Sequence, residues 1–192
     1  MDDSSHLLNA DLNDMQAFTH SCRKVSRPYS RRRRRSFEIA IFDFDGTIAN
    51  IDHRLPFIQQ DEPDWQSFHK ACSKDVPKEK IVDLMDILFM AGVYIIIASG
   101  RGAEATAETI MWLTDNKVPY HQLYLRPENN ITPAETLKKI WYNALWASED
   151  VIGVWEDDDK PVAMWRSMGL QVYQVAEGSN WQPSEKGEDD NE

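Results

Sequence analysis

Asp43 and Asp45 stand two residues apart in Asp43-Phe44-Asp45-Gly46-Thr47, directly after the apolar run EIAIF. Alternation along an extended chain sets both carboxylates on one face, with Phe44 turned away. Three later stretches carry matching chemistry: Ser99-Gly100-Arg101, the helical pair Lys138-Lys139, and Glu156-Asp157-Asp158-Asp159. Together they suit a phosphate monoester bound with Mg²⁺, which takes one or two carboxylates plus phosphate oxygens and water. Asp43 and Asp157 are the first choices of metal ligand, and Glu156 the next. Asp43 can also attack phosphorus as a nucleophile, giving an aspartyl-phosphate. Asp45 is then the general acid/base, protonating the leaving oxygen and afterwards activating water. Ser99 and Gly100 cradle phosphate oxygens, and Lys138 neutralises charge shared by phosphate and nucleophile. Gly46 allows a sharp backbone turn beside the ligand.

The elements that must position these residues alternate along the chain. Strands are expected at 38–43, 93–99, 121–126, 151–156 and 170–176, and helices at 77–90, 103–116, 133–147 and 160–168. Apolar strands alternating with helices predict an α/β fold, a three-layer Rossmann-like arrangement with a central parallel sheet covered on both faces. Ligands of such sheets bind beyond the carboxyl ends of the strands, where all four motifs fall. The insert from Asn50 to Val76 is short enough to predict a minimal cap. Within it Trp65, Phe68 and His69 have helical spacing. That spacing reads first as a face packed on the core and second as a platform for a base.

Charge is unevenly distributed. Residues 1–36 carry eight Lys/Arg against four Asp, net +4, whereas the rest of the chain carries 13 against 28, net −15. Residues 1–36 are expected to be a disordered basic extension, 37–180 the folded domain, and 181–192 a disordered acidic tail. The Arg31–Arg35 run reads as a solvated basic linker, a nuclear address or an electrostatic arm for nucleic acid. The acidic body argues against tight non-specific binding of polyanions along its surface. Only Cys22 and Cys72 are present, so no disulfide framework is expected. The longest apolar run, Ile87–Ala98, is too short to span a bilayer, and no secretory leader is visible. A cytoplasmic protein that does not enter membranes is the expectation. No GxxxxGK[ST] stretch supplies a P-loop kinase half.

FDFDGT, ASGR, a helical Lys and WEDDD resemble, in order and spacing, the four motifs of the haloacid dehalogenase (HAD) superfamily, in its phosphatase branch. DGTIANIDHRLPF, IIIASGR, LYLRPENN and MWRSMGLQVYQVAEG are similar to the phosphatase domain of phage polynucleotide kinase-phosphatase, which removes 3′-phosphates from nucleic-acid ends and nucleotides. The resemblance implies that Thr47, Ser99, Gly100, Arg101, Lys138, Arg54 and Arg126 contact phosphate or substrate. It also implies that the Asp45 backbone carbonyl joins Asp43, Asp157 and Glu156 around Mg²⁺. Two positions depart from the pattern: Ala134 stands where the family has Asp, and Glu156 opens the fourth motif in place of Asp. The competing expectations are a phosphatase of free nucleotides or small metabolites, and a non-catalytic or receiver-like module. A receiver ends its third strand in the phosphorylated Asp, and LYLRPE has none there.

Overall fold

The computed structural model describes residues 38–147 and 149–176. The Arg31–Arg35 run and both expected tails lie outside the described residues. Five parallel strands form the central sheet in the order β5-β4-β1-β6-β7. In chain order the elements are β1 (Glu38–Phe42), β2 (Ala49–Asn50), α1 (Trp65–Lys70), β3 (Val76–Pro77), α2 (Glu79–Met90), β4 (Tyr94–Gly102), α3 (Thr106–Asp115), β5 (Gln122–Arg126), α4 (Ala134–Trp141), β6 (Asp150–Glu156), α5 (Asp159–Ser167) and β7 (Val172–Gln174).

Strand alternation builds two cores. Ala40, Phe42, Ile95, Ile97, Leu123 and Leu125 face one side, where Met85 of α2 and Trp112 and Leu113 of α3 cover them. Ile39, Ile41, Ile96 and Tyr124 face the other side, under Leu137 and Trp141 of α4 and Val162 and Trp165 of α5. Burial of each such aliphatic side chain stabilises the fold by about 1.5–3 kcal/mol, and here it also fixes strand register. The predicted three-layer α/β architecture is therefore present.

Two elements differ from expectation because of partners distant in the chain. The strand expected to stop at Ser99 continues to Gly102, because β4 resumes pairing with β5 at Gly102–Arg126 after a register shift beyond Ala98. The helix expected to run to 147 is α-helical only to Trp141 and closes with a π turn over Tyr142–Trp146. The wider turn brings Trp141 and Trp146 against the same Tyr124 ring, with centroids 5.7 and 5.0 Å away. The insert is small, as predicted. β2 and β3 pair antiparallel at its base, and α1 lies between them in the chain. No helix among the described residues is long and apolar enough to cross a membrane.

β1 is the position where the strand order reverses: the chain passes from it to β4 and β5 on one side, then to β6 and β7 on the other. The crevice at its carboxyl end is where an open α/β sheet receives ligands.

Candidate active site

Asp43 follows the last residue of β1, and its N–H donates to the Trp155 carbonyl of β6 at 2.9 Å. That bond draws Glu156 and Asp157, at the end of β6, alongside it. Asp43, Glu156 and Asp157 each offer a carboxylate oxygen within 4.8 Å of the others, and all three are buried. Lys138, carried by α4, donates to Asp43 Oδ1 and to Glu156 Oε2, each at 2.6 Å. Burial, and then the charge of Asp43, push the Glu156 carboxyl up to about 8 and that of Asp157 up to about 7. Burial also raises Asp43, with Lys138 opposing it. Burial alone would lower Lys138, but Asp43 and Glu156 outweigh it and raise the ammonium above its ordinary value.

Three carboxylates against one ammonium leave the cluster two positive charges short when all are ionised. An all-oxygen donor set with that deficit fits a hard divalent cation. Lys138 already engages one oxygen of Glu156, whereas among the described residues Asp157 Oδ1 takes a hydroxyl bond from Thr47, at 3.1 Å. Gly46 makes the approach of Asp157 to the first motif feasible. Its φ is +82°, and a Cβ there would collide with Asp157 Oδ2. Lys78 donates to the Gly46 carbonyl and pins the turn.

Asp45 belongs to a second, neutral network. Arg54 Nη2 and Arg101 Nη2 both donate to Asp45 Oδ1, and Arg101 Nε reaches Asp45 Oδ2 at 3.3 Å. Behind them Asp75 accepts from Arg54 Nε at 2.7 Å, Arg54 Nη2 at 2.8 Å and Arg101 Nη2 at 3.0 Å. Each guanidinium lies on an aromatic face: Arg54 is 4.1 Å from the Phe68 centroid and Arg101 is 4.0 Å from that of Phe44. Burial would raise the Asp45 carboxyl, but Arg101 and Arg54 overcome it and lower it to about 2.

Sequence reasoning missed Asp75, Lys78 and Thr109, the last of which accepts from Arg101 Nη1 at 3.0 Å. Nothing in KDVPKEK distinguishes Asp75 from a surface acid. Only the fold brings it beneath two arginines that are 20 and more residues away in the chain.

The remaining motif residues fall on the same edge. Ser99 is buried in β4, and its Oγ accepts from the Arg101 N–H at 3.1 Å. Gly100 faces Ala134 and Arg126; a Cβ there would stand 3.1 Å from Ala134 Cβ and 3.4 Å from Arg126 Nη2. Arg126 is held by backbone carbonyls: Nε donates to Gly100 at 2.9 Å, and Nη1 to Thr132. The structure thus brings Asp43, Asp45, Thr47, Arg54, Ser99, Arg101, Lys138, Glu156 and Asp157 into one centre, and places Gly100 and Arg126 at its margin.

The family model of the polynucleotide kinase PNKP phosphatase domain matches residues 37–180. Among solved structures, the Pnkp1/Rnl/Hen1 RNA repair complex contains a chain that is 21% identical, with a TM-score of 0.66 over 82% of this chain and 48% of that one. The protein therefore spans about half the length of that relative. A putative phosphatase from Clostridium difficile is 10% identical, with a TM-score of 0.53 over 73% of this chain and 86% of that one. A haloacid dehalogenase-like hydrolase, SP0104 from Streptococcus pneumoniae, is 13% identical, with a TM-score of 0.53 over 72% and 84%. At these identities the likenesses concern the fold. The family match extends over most of the sequence and takes in every strand and helix of the fold, so the chain belongs to the polynucleotide kinase phosphatase (PNKP) family of the HAD superfamily.

Proposed function

We propose that the protein is a Mg²⁺-dependent phosphomonoesterase that acts through an aspartyl-phosphate on the 3′-phosphate of nucleic-acid ends or nucleotides. The observation that carries the reading is the buried trio Asp43, Glu156 and Asp157 with Lys138 between two of its members. Asp43 Oδ1, held by Lys138, orients the carboxylate so that its other oxygen can attack phosphorus in line with the leaving alcohol. The bond from phosphorus to the alcohol oxygen breaks as the Asp43–phosphorus bond forms, and Asp45 in its protonated form would give that oxygen its proton, becoming a carboxylate. Asp157 and Asp43, with the Asp45 carbonyl, are the ligands assigned to Mg²⁺, and Glu156 completes the trio through Lys138. Bound there, the ion would neutralise phosphoryl oxygens and the excess carboxylate charge. Asp45, as the carboxylate that its two arginines enforce, is suited to take a proton from the water that cleaves the acyl-phosphate. Arg54 and Arg101 act through Asp45 in this reading, and Ser99, Thr47 and Gly100 line the phosphate's approach.

A 3′-phosphorylated oligonucleotide should release phosphate with Mg²⁺, and Asp43→Asn should abolish the release while leaving the fold intact. Full activity in that variant would remove Asp43 as nucleophile. A second reading, a free-nucleotide or small-metabolite phosphatase, is favoured by the net charge of −15 on residues 37–192. Rates on mononucleotide and oligonucleotide compared across salt separate the two: a polymer preference that fades with salt supports the first.

A further inference from the structure

The helical face Trp65-Phe68-His69 is divided by the fold. Phe68 is buried beneath Arg54, as a packing residue should be. Trp65 is 42% exposed, with its ring stacked on His69 at a centroid distance of 6.2 Å and an interplanar angle of 28°. Trp65 and His69 line a cavity of about 960 Å³ whose far wall is the loop from Arg126 to Glu135. The cavity reaches the margin of the centre at Gly100, which lies between Ser99 and Arg101 in the chain. His69 is close enough to Asp45, Arg54 and Arg101 to feel the charge of all three.

We propose that this cavity takes the nucleobase of the substrate's terminal nucleotide, with the Trp65 indole as the stacking face. The inference rests on the phosphomonoesterase reading and specifies how its substrate is held. An indole that is 42% exposed on the wall of a cavity, beside the His69 ring, presents aromatic surface against which any base can pack. The volume suits a ligand of nucleotide size and exceeds what a bare phosphate group requires. The rim narrows the choice of occupant. Glu104, Glu128, Glu135 and Asp158 stand there against Arg126 and Lys160, and Arg126 is already engaged with main-chain carbonyls. An acidic rim of this kind favours a neutral base with amino donors over a run of further phosphates.

The test compares adenosine 3′-monophosphate with glycerol 2-phosphate, which has no base to stack, for the wild-type protein and for Trp65→Ala and Trp65→Leu. The expected result is a KM penalty for the adenosine substrate at least about fivefold larger than that for glycerol 2-phosphate in both variants. Trp65→Phe should recover most of the loss. Equal penalties on the two substrates, or none on either, would overturn the assignment of Trp65. So would a wild-type protein that hydrolyses glycerol 2-phosphate and leaves adenosine 3′-monophosphate untouched. A wild-type protein inactive on both with Mg²⁺ would instead remove the phosphomonoesterase reading, and this inference with it.

Discussion

Asp45 and Asp75 share the same nitrogen of Arg101: Nη2 donates to Asp45 Oδ1 and, at 3.0 Å, to Asp75 Oδ2. Arg54 bridges the same two carboxylates through its own Nη2. Two guanidinium groups and two carboxylates thus form a closed, neutral square with Asp75 at its buried corner. Asp75→Asn leaves one buried positive charge uncompensated. It should cost about 3 kcal/mol in urea denaturation, since removing one partner of a buried pair strands the other. Turnover of an aryl phosphate should fall at least about tenfold, because both arginines would turn toward Asp45. Wild-type stability and turnover in Asp75→Asn would show that the square does not position Asp45.

In the proposed mechanism, the same square would set which half of the reaction Asp45 serves best. A carboxyl lowered to about 2 is almost wholly ionised at neutral pH, so it is ready as a base and poor as an acid. Formation of the aspartyl-phosphate should therefore be fast with p-nitrophenyl phosphate, whose leaving group needs no proton, and slower with alkyl phosphates. Asp45→Asn should lose steady-state turnover of both substrates, yet still give a single burst of p-nitrophenolate equal to the enzyme concentration. Rapid-mixing absorbance measurements check this, and the absence of any burst with a fully folded variant would contradict the division of labour.

Gly46 tests the metal assignment by geometry alone. A methyl at this position meets the Asp157 carboxylate and must also adopt φ of +82°. Gly46→Ala should cost about 1–2 kcal/mol of stability from the backbone strain. Its larger effect should be on Mg²⁺. The ion should raise the melting temperature of the wild type by relieving repulsion among Asp43, Glu156 and Asp157, and that rise should vanish in Gly46→Ala. An unchanged Mg²⁺-dependent rise would place the ion away from Asp157.

What was legible in the sequence divides by the range of the interaction. β1, β4 and α2 declared themselves through apolar periodicity; Asp43, Asp45, Ser99 and Asp157 stood out as candidates by their place at expected strand ends, and Lys138 by its place on a helix that follows a strand, because these signals are local. The π turn after Trp141 and the continuation of β4 through Arg101 depend on partners in β5, so no window of sequence contains their cause. Asp75 illustrates the same limit at the site. Its identity as a buried carboxylate is set by Arg54 and Arg101, and by Trp112, whose indole N–H donates to the Asp75 carbonyl at 2.7 Å. Arg54 and Arg101 were expected to contact phosphate or substrate, and in the fold both donate to Asp45 and Asp75, with Arg101 also donating to Thr109.

His121 gives the fold a pH dependence separable from that of the buried carboxylates Asp43, Glu156 and Asp157. Its Nδ1 accepts from the Ile95 N–H at 2.9 Å, and its ring stacks on Tyr94 and Phe89 at centroid distances of 4.4 and 4.9 Å. An Nδ1 that accepts cannot carry a proton, and burial lowers the imidazole below its ordinary 6.5. Below about pH 6.5 the unfolded chain therefore binds a proton that the folded chain refuses. The His121 contribution is fully present above that value and is lost as pH falls through it toward the lower folded value. Asn at 121 keeps an acceptor for Ile95 N–H without titrating there. Urea denaturation of the wild type and His121→Asn from about pH 8 to about pH 5 should give a stability difference that shrinks as pH falls. Taking this difference removes the opposing contributions of Glu156 and Asp157, whose raised values are common to both proteins. A difference constant across that range would mean that His121 titrates alike in the folded and unfolded chains.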